Sequence, residues 1–422
     1  MNQTTTDTHA YKHGKGFYIS ITDTTLLGYG IFEHTYARIV GYFSSAVLGK
    51  AIYGQWLCLV IWLCLLALFI MKRIHDRRTT RIVFSMIFSA VFFVIMYLLF
   101  PSTQQYYSEY MTDIITVIII GIPCAVLLST VDDLNLLILS FRPFLRVGTV
   151  LCVLGLLFGA RARFLSSMGW GMAIMPVALF YYGHNRILKR EPELYLTRID
   201  RVFGILAIMM TLLGGRQWLV IVFAAIFFCN IFQADTRRQK IYRTIIGVIL
   251  LAIVALFYDS LLEILSSLIS RMGIQSRALS SLASGRLLDT YNRNSIYSFC
   301  QDIIQRNGSK ISGVFADRMY LRQYRSNIAY AHNFFYEILI DFGTVLGVVL
   351  IASFALLLIR GYVTCRKDMK VIFVLVFCYG FLRFLVSSSV FIEINFVILL
   401  GLLLNRNIRI SERNNSDRTS EV

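Results

Sequence analysis

Charge is scarce in this chain. Charged residues fill 15% of its 422 positions, whereas soluble domains carry about 25%. Hydrophobic residues fill 57%, mean hydropathy is +0.66, and the apolar residues come in runs long enough to cross about 30 Å of hydrocarbon. A soluble core is a poor account of such a chain, and a polytopic membrane protein is expected. Its eight cysteines include no C-x-x-C pair and no paired external spacing, which leaves neither a zinc site nor a disulfide framework supported. The first residues lack the basic-then-apolar order of a cleavable signal peptide. Walker A, G-x-S-x-G and H-E-x-x-H motifs are missing, as is a D-x-D pair on an outer loop to hold a metal-bound sugar nucleotide. Chemistry on the outer face is therefore not expected to be nucleotide-driven, and no metal or cofactor is called for.

What is present is positive charge, +17 overall, and its position decides its meaning. The excess sits in short clusters between apolar runs, such as Lys72-Arg73-Ile74-His75-Asp76-Arg77-Arg78 and Arg237-Arg238-Gln239-Lys240. Clusters of this kind mark the cytoplasmic side and touch anionic lipid, so membrane lipids rather than nucleic acid are the expected contacts. Apolar spans are read near 54–71, 82–100, 114–130, 147–160, 168–183, 202–214, 217–232, 244–258, 333–359, 371–388 and 390–405. Basic connections at 72–81, 184–201, 237–243, 360–370 and the tail from Arg406 then fall on one face, with the C-terminus inside.

The expected organisation has five parts. Residues 1–50 form an interfacial segment or first span, interrupted by Asp23, Glu33, His34 and Arg38, and 51–258 form a transmembrane bundle. Residues 259–331 form a large external loop, 332–405 the C-terminal transmembrane helices, and 406–422 a cytoplasmic tail. Eleven spans put the N-terminus outside; a twelfth within 17–50 puts it inside. In the loop, Leu262, Leu265, Leu268, Ile269 and Met272 recur at helical steps, as do Ile296, Phe299 and Ile303 in a second helix from Asn294 to Arg306. Asn307-Gly308 ends that helix as a turn.

The loop is also where chemistry is expected. It holds nine basic residues (Arg271, Arg277, Arg286, Arg293, Arg306, Lys310, Arg318, Arg322 and Arg325) against five acidic ones. Eight of the nine are arginine, whose planar fork pairs bidentately with phosphate as lysine cannot. A solvated helix face accounts for any one of them; as a set they suit a lipid phosphate or pyrophosphate. Arg216 follows Gly214-Gly215 at an outer turn, where it either snorkels to headgroups or meets an anion. His332 opens a long apolar helix and can act as a general base or merely anchor the helix entry. Gly343 and Gly347 have the small-xxx-small spacing that lets another span pack closely. Arg383 and Glu393 sit within apolar runs and are expected to pair across the outer hairpin, holding the last spans together.

The segment Ala331-His332-Asn333-Phe334-Phe335-Tyr336-Glu337-Ile338-Leu339-Ile340-Asp341-Phe342-Gly343, with Gly347, resembles the O-antigen ligase and polysaccharide polymerase (Wzy-type) superfamily. Ser284-Gly285-Arg286, Ile311-Ser312-Gly313-Val314 and Leu212-Leu213-Gly214-Gly215-Arg216 are similar to further motifs of that family, over roughly 200–350. The family's loop helix carries a Trp four residues after its Arg, where this chain has Thr290; Arg293 with Tyr297 offers a second Arg-x-x-x-aromatic match, so either arginine can fill the role.

The resemblance implies an all-α, GT-C-like membrane enzyme with about 11–12 transmembrane helices and one large helical outer loop. Such an enzyme sits in the bacterial cytoplasmic membrane and moves a glycan from undecaprenyl pyrophosphate to a sugar hydroxyl on the outer face. It implies Arg216 and Arg286 on the pyrophosphate and His332 at the acceptor hydroxyl. Arg293, Arg318, Arg322, Arg325 and Asn333 are implied contacts to the pyrophosphate or glycan. Implied partners are the carrier-linked oligosaccharide, a flippase and a chain-length regulator, with no cofactor. A polymerase is favoured over a ligase. A flippase is the rival from another class; it expects polar or charged residues within several spans and repeated halves with Gly or Pro breaks, whereas the spans here read as nearly free of charge and no repeated halves are visible.

Overall fold

The computed structural model describes residues 21–162, 167–188, 198–211, 216–232, 236–256, 291–324, 330–385 and 389–409. These residues are mostly helical, with no β-strand among them. Helix α1 (Ile21–Ile31) and α2 (Glu33–Leu48) follow one another around Phe32, and α3 (Ile52–Lys72) returns antiparallel to them. Gly54 makes this return close: a Cβ there would lie 2.5 Å from the Val40 carbonyl oxygen. Asp23, at the start of α1, pairs with Arg73 (3.0 Å) and Arg78 (3.4 Å). The chain therefore enters the bundle from the face that carries the basic 72–81 connection. What was read as an interfacial segment or first span is, over 21–48, a two-piece helix inside the bundle.

Helix α4 (Arg77–Leu99) is capped by Asp76, whose carboxylate accepts the Arg78 N–H at 2.9 Å. It exposes Phe84, Phe88, Val94 and Leu98, a face suited to lipid. A short helix α5 (Gln104–Glu109) crosses the far end. The next span is built from α6 (Met111–Thr116), a π-helical turn (Val117–Gly121) and α7 (Ile122–Leu128). Helix α8 (Leu134–Ser140) bends by 47° into α9 (Arg142–Ala162). Then come α10 (Ser167–Leu188), α11 (Arg198–Met210), α12 (Arg216–Phe232) and α13 (Arg237–Leu256). Phe32, Phe141, Phe180 and Tyr379 interlock edge to face in the centre of the bundle.

Among the described residues four helices are long and apolar enough to cross a membrane, or five if the bent pair is one span. The chain is thus an all-α, multi-pass membrane protein. From the loop, α14 (Tyr291–Asn307) agrees with the amphipathic helix expected over Asn294–Arg306, and Gly308 (φ 56°) turns the chain after it. The amphipathic pattern at 261–272 lies outside the described residues. Helix α15 (Ala316–Tyr324) follows.

The last third departs from the sequence reading. Helix α16 runs Phe334–Thr364, but Gly343 (φ 73°, ψ 169°) breaks it. Phe334 and Phe354 would be about 30 Å apart along an unbroken helix, yet their rings lie 5.5 Å apart. The helix therefore folds back on itself into an arm, 334–342, and a span, 344–364. Gly343 and Gly347 serve this fold rather than a neighbouring span. A Cβ on Gly343 would meet the Ser309 carbonyl at 2.6 Å, and one on Gly347 would meet the Ile338 carbonyl oxygen, in the arm itself, at 3.1 Å. The spans read at 371–388 and 390–405 are also shorter: α17 is Lys370–Gly380 and α18 is Ile394–Leu404. At 11 residues each, they reach about 16 Å, half the hydrocarbon thickness. Arg383 and Glu393 lie in the link between them, which brings buried charge to the middle of a bundle whose spans read as nearly charge-free.

Candidate functional site

Two carboxylates organise the arm. Glu337 and Asp341 are four residues apart, on one helix face, and both are buried. Asp341 is surrounded by the turn that follows α14. Its carboxylate accepts the N–H groups of Phe315 (3.0 Å) and Asp317 (2.9 Å), and its carbonyl accepts those of Ser312 (2.9 Å) and Gly313 (3.0 Å). Glu337 accepts the Val390 N–H at 3.1 Å and the Ser389 hydroxyl, both from the link between α17 and α18. Asp317, at the start of α15, completes a cluster whose carboxylate oxygens lie within 4.8 Å of one another.

Such a set could hold a metal ion, but the chain supplies its own cation. The Arg318 Nη1 lies 2.6 Å from Asp317 and 3.5 Å from Glu337, while its guanidinium packs over Phe315 (4.6 Å), Tyr110 (4.8 Å) and Tyr330 (5.9 Å). Burial works against its charge; Asp317, Glu337 and Asp341 more than offset that and raise its pKa above the usual arginine value. Three carboxylates around a fully buried guanidinium make a closed cage.

The cage adjoins the turn that carries His332. Asp317 Oδ2 accepts the Ala331 N–H at 2.9 Å, and the Tyr330 ring packs against the His332 imidazole at a 44° tilt, with centroids 4.0 Å apart. His332 itself is half-buried and takes φ 57°, a left-handed backbone that few non-glycine residues adopt. Asn333 then caps the arm: its side chain accepts the Phe335 N–H at 2.9 Å and donates to the Leu385 carbonyl at 3.4 Å.

Because the arm turns back from Gly343, this end of it lies deep. Phe334 packs on Phe354, Phe381 and Phe396, at the level where α17 stops and α18 starts. Here Arg383 pairs with Glu393 through two contacts, 2.5 and 2.8 Å, which agrees with the expected Arg383–Glu393 bond but sets it inside the bundle rather than at an outer hairpin. Glu393 also meets His34 (3.2 Å), which in turn meets Glu33 (3.1 Å) at the junction of α1 and α2. The guanidinium of Arg383 lies 4.9 Å from the ring of the buried Trp218, in the first turn of α12, the helix that Arg216 begins.

The expected site residues thus fall into three groups. The start of α12 at Arg216 and the Tyr330–Asn333 turn both meet residues 381–385 of the link between α17 and α18, through Trp218 on one side and Asn333 on the other. Arg318 does not face open solvent, and Arg322, though partly exposed, is already paired. Arg318 is enclosed by the carboxylate cage, and Arg322 forks onto Glu109 with bonds of 2.7 and 2.9 Å while lying over Tyr106. This pairing takes up the two charges that the sequence assigned to phosphate. Arg293 falls in the first turn of α14, and Arg286 and Arg325 lie outside the described residues. Sequence reasoning gave no role to Asp317, Tyr330, Glu337, Asp341 or Trp218. One signal was available: Glu337 and Asp341 are two acids one turn apart in an apolar run, and acids at membrane depth are costly.

No protein-family model, curated protein or solved structure matches the chain.

Proposed function

We propose that this chain is a lipid-linked glycosyltransferase of the polysaccharide-polymerase type, working at a site between the α12 start, the Tyr330–Asn333 turn and residues 381–385 of the link after α17. One observation carries the reading. Arg216 and His332 are more than a hundred positions apart in the sequence, yet the elements that bear them meet the same link, through Arg383 on Trp218 and Asn333 on Leu385. A transfer from undecaprenyl pyrophosphate needs cations for the leaving pyrophosphate and a group to take the acceptor hydroxyl's proton. Arg216 and Arg286 are assigned the first role and His332 the second. The left-handed backbone at His332 fits a strained functional position.

A second reading, a flippase for the carrier-linked oligosaccharide, is favoured by the broken helices and by charged residues in the middle of the bundle. One experiment separates the two: purified protein in liposomes receives a carrier-linked repeat unit without nucleotide. Glycosyl transfer yields a ladder on a gel, which Arg216→Ala, Arg286→Ala and His332→Ala each abolish while the protein stays in the membrane. Substrate that crosses the bilayer unelongated supports the flippase instead, and wild-type ladders from all three variants would remove the catalytic assignment.

A further inference from the structure

We infer that Asp317 and Arg318 form a positioning pair for His332, an inference that rests on the proposed transfer reaction for its catalytic consequence but not for its geometry. Each residue around His332 is held by a separate contact. Tyr330 lies under the Arg318 guanidinium at 5.9 Å and against the imidazole at 4.0 Å. Ala331 is fixed by its N–H to Asp317 Oδ2 at 2.9 Å. Asn333 is fixed by its cap and by Leu385. Asp317 Oδ1 in turn binds Arg318 Nη1 at 2.6 Å, so one carboxylate joins the backbone before His332 to the cation behind Tyr330.

This linkage explains why a histidine can stand at φ 57°. A left-handed conformation costs a non-glycine residue roughly 1–2 kcal/mol and persists where the surroundings over-determine it. Here they do so from both sides. Asp317 and Arg318 are also fully buried, so neither reaches substrate; their effect on chemistry has to pass through the turn they hold. A pair serving only to tie α15 to the arm would need the contacts to Glu337 and Asp341, but not the bond to Ala331 or the plate beneath Tyr330.

The test uses the full-length protein in lipid nanodiscs, with imidazole NMR signals assigned through His332→Gln. Asp317→Asn keeps the shape and removes the charge that holds Arg318. It is expected to shift or broaden the His332 signals and to lower kcat roughly tenfold to a hundredfold, with KM for the carrier-linked repeat nearly unchanged. Tyr330→Leu, which removes the ring between the Arg318 guanidinium and His332, should show the same signature in weaker form and covers the case in which Asp317→Asn does not fold. Unmoved His332 signals in a folded Asp317→Asn or Tyr330→Leu variant overturn the proposal, as does a loss confined to KM. If the wild type transfers no glycan at all, the functional reading fails, and the imidazole signals alone still decide whether the pair positions His332.

Discussion

Helices α4 and α16 are similarly apolar, and both are long enough to cross a membrane, yet they have opposite forms. Helix α4 is one unbroken helix of 23 residues, capped by Asp76, and most of its large side chains face outward. Helix α16 folds back at Gly343, buries Glu337 and Asp341 on its arm, and sets its own N-terminus beside Phe354. The first needs only a hydrophobic surface. The second needs partners for two carboxylates and for the backbone exposed at its break, and finds them in residues 308–318 and 389–390. Apolar composition thus specifies contact with lipid; the embedded acids and the left-handed glycine specify what is built from it.

The comparison breaks most directly at Gly343. An alanine there would adopt φ 73° and place its Cβ 2.6 Å from the Ser309 carbonyl, and neither backbone can yield without opening the 308–313 turn. Gly343→Ala is expected to destabilise the protein by about 3 kcal/mol or more and to abolish any activity that depends on His332. Phe88→Leu on the exposed face of α4 should change stability by less than about 0.5 kcal/mol. Thermal unfolding in detergent, followed by size-exclusion recovery, measures both. Equal losses from the two changes would show that the break is not a special position.

A comparable effect is expected at the second break, the link between α17 and α18. Removing one partner of a buried ion pair costs about 3–5 kcal/mol, whereas replacing both with apolar groups is often neutral. Arg383→Leu or Glu393→Leu alone should therefore lower the unfolding midpoint strongly, and the double variant should recover much of the loss. Absence of recovery would mean that His34 and Trp218, which also touch the pair, contribute as much as the pair itself.

How far the sequence showed this follows from which contacts are local. The helix over Tyr291–Asn307, with its Asn-Gly stop, was readable because apolar spacing and turn chemistry act within a few residues. The Arg383–Glu393 pair was readable too, since two opposite charges ten positions apart in apolar runs have few other partners. Gly343 was not. A glycine in an apolar run looks the same whether it admits a neighbouring helix or reverses the chain, and only its contact with Ser309 and Lys310 distinguishes the two. The ion pairs of Arg318 and Arg322 were hidden for a related reason: Glu337 and Glu109 come from other elements, so a count of loop arginines could not show them. His332 was picked out by its chemistry, but the tie from Asp317 to Ala331 that holds it joins residues 14 positions apart, beyond the reach of local spacing.

The mildest test separates the buried cage from its exposed counterpart, the Arg322–Glu109 pair. Arg322 hydrogen-bonds Glu109 and thereby holds its carboxyl below the usual range, while Glu109 in turn raises Arg322. A carboxylate with a lowered folded-state pKa adds stability that is present above its unfolded value, about 4.3, and is lost as pH falls through the folded value. Both side chains are substantially exposed, at 30% and 43%, so solvent screens the pair and its contribution is expected to stay under about 1 kcal/mol. Glu109→Gln should leave the unfolding midpoint nearly unchanged at pH 3 and lower it slightly at pH 7, with added salt shrinking the difference. A salt-independent loss of several kcal/mol at pH 7 would place Arg322 with Arg318 as part of one buried unit, and the division between cage and surface would fall.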